Sequence, residues 1–290
     1  MPYFKNQEGF NLYYENINPD SKECTIILLH GFASSASFFK SQIKILKENY
    51  RIIAFDALGH GRSDHPKQLD ISGNLRHQII RDLEDLLNYL GVNEPYGIIG
   101  HSLVGGMIAQ LITMKHPEDV KFLILLNSGY IMIDNVIRNI FYNLLPYDIR
   151  INFLDIVANS IEEIIDKTIP YILTALSDYI SDMHLTKDEL YMKIEEQIFS
   201  MIYEINDYNP SNIYCPTLII GGRLDNFAPE RMSEELHKMI PNSTLKIIDM
   251  AGHFAPSQRS GLINELITKF IKRVEVKPVD HIINKEALGL

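Results

Sequence analysis

The sequence predicts an α/β protein: a mostly parallel, twisted sheet with helices on both faces, and a helical segment inserted between two of its strands. Short runs of β-branched and other apolar residues alternate with stretches whose apolar residues recur at helical spacing. This alternation stops once, between Ser128 and Asn209, and then resumes. Strands that alternate with helices indicate a parallel sheet joined by right-handed crossovers.

The composition is that of an ordinary globular protein. The 290 residues are 46% hydrophobic and 22% charged, which is enough chain for one large domain with an insertion. The formal net charge is −10 and Lys and Arg do not cluster, so the chain lacks the basic surface that nucleic-acid binding requires. Cys24 and Cys215 are the only cysteines, and we expect them to be reduced packing residues rather than a disulfide framework.

The sequence shows no pattern typical of a membrane segment. Its opening, MPYFKNQEGF, has no apolar signal core, and no run approaches the ~18 apolar residues of a membrane span. We therefore expect a soluble, cytoplasmic protein with no membrane span, and no oligomeric state is predicted.

The first predicted elements are a hairpin and two buried strands. The hairpin covers residues 3–16, where apolar and polar residues alternate about a turn at Glu8-Gly9. The strands cover residues 25–30 and 51–56, and both are apolar at nearly every position, as expected for strands buried on both faces. A helix over about residues 38–47 separates them.

A long amphipathic helix is predicted next, over residues 75–90, and Gly91 ends it in the usual C-terminal position. The following strand, over residues 96–99, stops at Gly100, and after three residues the chain resumes as a helix. Strand, abrupt turn and helix place Ser102 at the tip of the turn, as in a nucleophile elbow. A serine hydroxyl is a poor nucleophile near neutral pH, so it needs a base and a group that orients the base.

Domain boundaries are predicted where the alternation stops and resumes. Residues 1–129 form the first part of the core and residues 130–209 the inserted helical segment. Residues 210–273 form the second part of the core, and residues 274–290 a weakly patterned tail. The remaining predicted strands cover residues 120–127, 216–222 and 243–249, and the remaining helices cover residues 229–239 and about 262–273.

Polar residues that directly follow predicted strands are candidates for a site, because functional loops gather at the C-terminal edge of a parallel sheet. Such positions hold His30-Gly31-Phe32, Ser102, Asp225 and Gly252-His253. Two further carboxylates, Asp56 and Asp249, also lie at strand ends. We expect Asp56 to have a structural role, because its loop is rich in glycine.

Five motifs at these strand ends carry a resemblance to a known family. They are HGF (residues 30–32), DALGHGRS (56–63), GHSLVGG (100–106), GGRLD (221–225) and AGHF (251–254). Over residues 4–270 the chain resembles the α/β-hydrolases of the capped, single-domain kind, which include many small esterases. The candidate Ser, Asp and His also occur in the chain order of that family. The resemblance implies an α/β-hydrolase fold in which the insertion forms a cap.

The resemblance also implies roles for individual residues. Ser102 would be the nucleophile, His253 the general base and Asp225 the residue that orients the base. Backbone N–H groups of Phe32 and Leu103 would form the oxyanion hole, which stabilises the charge that builds on a carbonyl oxygen. No cofactor is implied, and no metal site is predicted because HExxH and similar metal-ligand spacings do not occur.

The implied activity is that of a serine hydrolase, which cleaves a small to medium, largely apolar carboxylic ester through an acyl-enzyme on Ser102. The same side chains would serve a lactonase, a thioesterase or a cofactor-free haloperoxidase or perhydrolase, and a non-catalytic ligand receptor of this fold could retain them. Ser102 argues against the epoxide hydrolases and haloalkane dehalogenases, which carry aspartate at this position. His101 stands where carbon–carbon bond hydrolases usually carry asparagine, which disfavours that alternative.

One position departs from the family pattern. The second residue after the serine is usually glycine, because strand and helix crowd together there, but this chain has Val104 and carries glycines only at 105 and 106. We expect the β-branched side chain to push helix and strand apart or to shift the elbow, and so to affect the geometry of the oxyanion hole.

Overall fold

Eight strands form one sheet in the computed structural model, which describes residues 2–31, 34–65, 75–129 and 208–276. The strands are β1 (Tyr3–Lys5), β2 (Asn11–Ile17), β3 (Thr25–Leu29), β4 (Arg51–Phe55), β5 (Tyr96–His101), β6 (Val120–Leu126), β7 (Thr217–Gly222) and β8 (Ser243–Ile248). The helices are α1 (Lys40–Leu46), α2 (Leu75–Tyr89), α3 (Ser102–Lys115), α4 (Glu230–Met239), α5 (Ala255–Gln258) and α6 (Ser260–Val276). Two short 3-10 segments cover Ala36–Phe39 and Pro210–Asn212.

The strand order across the sheet is β1-β2-β4-β3-β5-β6-β7-β8. Strands β1 and β2 form the predicted hairpin, β2 pairs antiparallel with β4, and every pair from β4 to β8 is parallel. The sequence-based prediction of a mostly parallel sheet is therefore confirmed. The direction of the winding reverses between β3 and β5, which is where open α/β sheets place their ligand crevice.

The parallel strands are buried on both faces, as their continuous apolar runs predict. Alternate residues such as Ile26 and Leu28 in β3 face a cluster that contains residues of α1 and α6. The intervening residues, such as Ile27 in β3 and Ile98 in β5, are equally buried but lie outside that cluster. Helix α3 packs against β3, β5 and β6, and helix α4 packs against β7 and β8.

Within the described residues every predicted element is present in the predicted order, and most ends differ from the prediction by one or two residues. Helix α5 and the two 3-10 segments were not predicted. Two of the differences change the interpretation. Strand β5 continues through Gly100 to His101 and α3 begins at once with Ser102, so the predicted gap of three residues does not exist. Helix α6 continues to Val276, beyond the predicted end at Arg273, because Val274 is buried against the sheet with the rest of its apolar stripe.

Both cysteines are free thiols in the described structure. Burial raises the pKa of Cys24 to about 11 and that of Cys215 to about 12, so neither is available as a thiolate near neutral pH. No described helix combines the length and the apolarity that crossing a bilayer would require. The predicted cap, residues 130–209, lies outside the described residues apart from its last two, and so do residues 277–290 of the predicted tail.

Candidate active site

Ser102 occupies a strained turn between β5 and α3. Its φ is +65°, a left-handed conformation that non-glycine residues rarely adopt. The residue before it, His101, is still extended, with φ −112° and ψ 143°. The change from extended strand to helix therefore takes place within Ser102 itself, and its hydroxyl is held at the C-terminal edge of the sheet.

Close packing around the turn depends on a glycine one position beyond the expected one. A Cβ atom at Gly105 would lie 2.2 Å from the carbonyl oxygen of Leu29 and 2.5 Å from that of His30. Position 104 holds a half-buried valine, whereas the backbone of α3 meets β3 at Gly105. The close approach of α3 to the backbone of β3 is thus at 105 rather than 104, so a side chain at 104 is compatible with the tight turn.

Ser102, His253 and Asp225 lie in one hydrogen-bonded line. Nε2 of His253 is 2.8 Å from Oγ of Ser102, and Nδ1 of His253 is 2.9 Å and 3.0 Å from the two carboxylate oxygens of Asp225. The side chain of Asp225 is fully buried and that of His253 is 9% exposed. An acceptor carboxylate at Nδ1 fixes the proton there, which leaves Nε2 to accept the proton of the hydroxyl.

The carboxylate of Asp225 is held from several sides besides His253. Backbone N–H groups of Phe227 and Ala228 donate to Oδ1 at 2.9 Å and 2.8 Å. The side chain of Asn127 donates to Oδ2 at 2.9 Å. These contacts leave the carboxylate only one orientation, in which its oxygens face the imidazole.

The other two strand-end carboxylates have different partners. Asp56 is fully buried and accepts backbone N–H groups of Ala36 at 2.6 Å and Arg62 at 2.8 Å. Asp249 is exposed and pairs with Arg223, whose Nε lies 2.6 Å from its Oδ1. The structure brings neither of them to His253.

His30 links the HGF motif to the loop that follows β4. Its Nε2 accepts the backbone N–H of Ala57 at 3.1 Å, so Nδ1 carries the proton and donates to the carbonyl of Gly31 at 2.7 Å. Burial lowers the pKa of His30 from 6.5, although the nearby charge of Asp56 acts in the opposite direction. A neutral His30 therefore fixes the backbone at Gly31, beside Ser102.

His101, the last residue of β5, contacts the loop that carries His253. Its ring stacks on Phe38 with centroids 4.1 Å apart, and its Nε2 lies 3.0 Å from the carbonyl oxygen of His253, to which it donates. Burial, together with the neighbouring His253, lowers the pKa of His101 well below 6.5. His101 thus holds the backbone of His253 as a neutral ring.

Of the two residues predicted to form the oxyanion hole, the structure describes one, Leu103. Phe32 lies outside the described residues. Leu103 is the second residue of α3, and N–H groups in the first turn of a helix have no intrahelical acceptor. Its backbone N–H follows Ser102 directly, at the helix end that favours negative charge.

Aromatic rings surround the imidazole of His253. The ring of Phe227 lies 5.0 Å from it between centroids, and the ring of Phe254 meets it edge-on at 5.6 Å. Within the described ranges, no group of three or more His, Cys, Asp or Glu side chains is arranged to hold a metal ion. The described surroundings of the imidazole are therefore mainly aromatic rings, which include that of His101 at 5.0 Å between centroids.

Comparison with known proteins adds an independent observation. The family model described as "alpha/beta hydrolase fold" matches residues 25–259, which span all the strands from β3 to β8 and the three aligned side chains. The chain belongs to the α/β-hydrolase fold family.

Relatives of this α/β-hydrolase carry different names. It is 29% identical over 280 residues to the uncharacterized hydrolase YugF of Bacillus subtilis (strain 168), which covers 91% of this chain and 96% of YugF. It is 28% identical over 268 residues to epoxide hydrolase 4 of Mus musculus, and the match covers 85% of this chain and 72% of the epoxide hydrolase. The crystal structure of an enol-lactonase from Burkholderia xenovorans LB400 matches its fold with a TM-score of 0.70 at 18% identity, covering 93% of this chain and 100% of the lactonase.

Sequence reasoning missed one side chain of the α/β-hydrolase site, that of Asn127. The predicted strand over residues 120–127 includes Asn127. In the structure β6 ends at Leu126, and Asn127 is the first residue after the strand. The signal was available, because Asn127 is a polar residue at the end of a buried strand, the criterion that selected Asp225 and His253.

Proposed function

We propose that this α/β-hydrolase is a serine hydrolase that cleaves a carboxylic ester by transferring the acyl group to Ser102. The observation that carries the proposal is the 2.8 Å contact between Nε2 of His253 and Oγ of Ser102, made by a serine held at φ +65°. A hydroxyl in hydrogen-bond contact with a base that is itself bonded to a carboxylate is the arrangement that activates serine.

Each step of the proposed reaction has a group in reach. Oγ of Ser102 bonds to the carbonyl carbon of the ester while its proton passes to Nε2 of His253, and the carbonyl oxygen becomes an oxyanion. The backbone N–H of Leu103 stabilises that oxyanion, and Phe32, by resemblance, supplies the second donor. The imidazolium then protonates the departing alcohol, which leaves an acyl-enzyme on Ser102.

Water completes the cycle through the same side chains. His253 takes a proton from water as the water oxygen attacks the acyl carbon, and returns a proton to Oγ as the acid departs. Asp225 keeps the imidazole oriented and stabilises its positive charge in both halves of the reaction. No cofactor and no metal ion enters these steps.

The nucleophile separates this proposal from the name of the epoxide hydrolase relatives. An aspartate that opens an epoxide forms an ester, which water can hydrolyse, but a serine would form a stable ether. Ser102 therefore favours attack on a carbonyl. Lactones and thioesters present the same carbonyl, so they are tested as alternatives to open-chain esters.

The substrate class follows from the surroundings of the imidazole. The aromatic rings of Phe227 and Phe254 pack about His253. An apolar wall with few polar anchors favours a small to medium, largely apolar acyl or alcohol group.

Labelling with a fluorophosphonate tests the nucleophile directly. We expect stoichiometric, saturable labelling of the wild type at Ser102 and none in Ser102→Ala. Ser63→Ala is the matched control, because Ser63 is also buried but bonds the backbone of Asp56 and Tyr13, away from His253. A folded wild type that does not react would overturn the proposal.

A substrate panel then tests the ester class. p-Nitrophenyl esters of increasing acyl length are compared with lactones and thioesters, and kcat/KM is measured for each. We expect open-chain esters with short to medium acyl groups to give the highest values. A preference for lactones or thioesters would be consistent with Ser102 as the nucleophile but would change the proposed substrate class.

A further inference from the structure

Asn127 joins the two loops that carry Asp225 and His253. Its Nδ2 donates one hydrogen to Oδ2 of Asp225 at 2.9 Å and the other to the carbonyl oxygen of Gly252 at 3.1 Å. Gly252 immediately precedes His253 in the chain. One amide group thus contacts both the carboxylate and the backbone next to the imidazole.

The backbone of Asn127 is itself specialised for this position. Its φ is +48°, and asparagine is one of the few non-glycine residues that tolerate this conformation. Its N–H donates to the carbonyl of Ile220 at 2.7 Å, which ties it to β7. Among the described residues, Ser102 and Met250 also have a positive φ, as does Asn18 after β2, so three strand ends around the site have this strained backbone conformation.

Burial makes the contacts of Asn127 costly to rearrange. The residue is fully buried, and its Oδ1 has no hydrogen-bond partner among the described residues. Exchanging the amide oxygen and nitrogen would turn the oxygen toward two acceptors, so the donors must face Asp225 and Gly252. The buried amide therefore presents both of its N–H hydrogens to the site.

We propose that Asn127 is a positioning residue, which fixes the carboxylate of Asp225 and the loop of His253 in the register that brings Nε2 to Ser102. This inference rests on the proposed serine hydrolase function. Asn127 does not touch the nucleophile in the structure; it acts through its two neighbours. Misplacement of a catalytic group by about 1 Å can reduce a rate ~10²-fold.

The test uses Asn127→Gly, because glycine tolerates the left-handed backbone while the side-chain amide is removed together with its methylene group. With a p-nitrophenyl ester we expect kcat to fall ~10- to 100-fold, with KM within about twofold of wild type. Each rate is divided by the concentration of active sites, which is measured by complete labelling with a fluorophosphonate. A smaller amount of folded protein therefore does not lower the measured kcat. A merely structural role would lower the unfolding temperature and leave this normalised kcat unchanged.

A matched control and a second variant accompany that measurement. Asn18, which follows β2, also has a left-handed φ, +51°, and its Nδ2 donates to the carbonyls of Lys47 and Tyr50, between α1 and β4. Asn18→Gly should leave kcat within about twofold of wild type. Asn127→Asp keeps the shape but replaces the donor facing Asp225 by a carboxylate oxygen, so we expect a loss at least as large as in Asn127→Gly.

A double-mutant cycle shows whether Asn127 acts through His253. In a His253→Ala background, Asn127→Gly should change the residual rate less than about twofold, because no imidazole remains to be positioned. A further 10-fold loss in that background, or an unchanged kcat in Asn127→Gly alone, would overturn the inference and leave the proposed function standing. A wild type that reacts with neither fluorophosphonate nor esters would overturn the proposed function, and this inference with it.

Discussion

Nε2 of His253 lies 2.8 Å from Oγ of Ser102, although 151 residues separate them and their strands are not neighbours. Strands β6 and β7 lie between β5 and β8, and a spacing of about 4.8 Å per strand puts the two strand ends ~14 Å apart. The loop after β8 therefore leans back across the sheet edge. Hydrogen bonds from Leu224, Asn127 and His101 to the carbonyls of Ala251, Gly252 and His253 hold it there.

The identity of the acid can be tested by comparing two strand-end carboxylates. Asp225→Asn should lower kcat by roughly 10³-fold or more, because an amide cannot stabilise the imidazolium and favours the wrong tautomer. Asp249→Asn, at the end of the next strand, removes only an exposed pair with Arg223 and should leave kcat within twofold. Ester turnover and thermal unfolding of both variants are the measurements. Full activity in Asp225→Asn would show that another group orients His253.

Two adjacent positions in α3 should respond in opposite ways. Gly105→Ala puts a Cβ against the carbonyl oxygens of Leu29 and His30, and we expect a loss of about 1–3 kcal/mol in the free energy of unfolding together with lower activity. Val104→Gly should leave the fold unchanged and the activity equal or higher. Denaturant unfolding and ester turnover check both. A large activity loss in Val104→Gly would show that the valine is required.

Asp82 should make stability depend on pH. Burial raises its pKa from 3.8 to about 6, although hydrogen bonds from Gln78 and Asn6 act in the opposite direction, and Glu8 and Arg81 are the nearby charges. A carboxyl with a raised folded-state pKa favours folding below pH 3.8, and this contribution is lost as pH rises through about 6.

Asp82→Asn should therefore stabilise the protein at pH 8 by about 1–3 kcal/mol, and the gain should shrink toward pH 4. The amide oxygen can still accept from Asn6 and Gln78. Asp85→Asn on the same helix, whose carboxylate makes only an exposed contact with Gln7, is the control and should change stability by less than about 0.5 kcal/mol. Denaturant midpoints at several pH values decide the matter, and an equal effect of Asp82→Asn at pH 4 and pH 8 would contradict it.

Asp56 should matter for stability rather than chemistry. In the wild type the backbone N–H groups of Ala36 and Arg62 both donate to the carboxylate of Asp56. In Asp56→Asn one of them faces an amide N–H instead of an oxygen. We therefore expect the free energy of unfolding to fall by about 1–3 kcal/mol. Asp64→Asn, in the same loop, should cost less than about 1 kcal/mol, because Asp64 is only half-buried and both donors from Asn11 meet one oxygen, which the amide can keep. Unfolding by denaturant measures both. An unchanged free energy of unfolding in Asp56→Asn would show that these two hydrogen bonds to the carboxylate do not stabilise the fold.

The local pattern of the sequence was informative where each element depends on its own residues. Continuous apolar runs identify β3 to β7 because both faces of those strands are covered. The elbow is also local, although its tightness was underestimated: a strained φ at Ser102 removes the expected linker between β5 and α3. Periodicity cannot show a left-handed residue that is not glycine, which is why Ser102 and Asn127 escaped notice as backbone features.

By itself the sequence determined the fold class, the order of the elements and a short set of polar residues at strand ends, because hydrophobic periodicity and turn residues act over a few neighbours. Only the tertiary structure decided which carboxylate, among Asp56, Asp225 and Asp249, meets His253, and that Asn127 joins the two loops. Those choices depend on strand order and on how far each loop leans over the sheet edge. They are set by hydrogen bonds between residues about 100 positions apart, which no local pattern encodes.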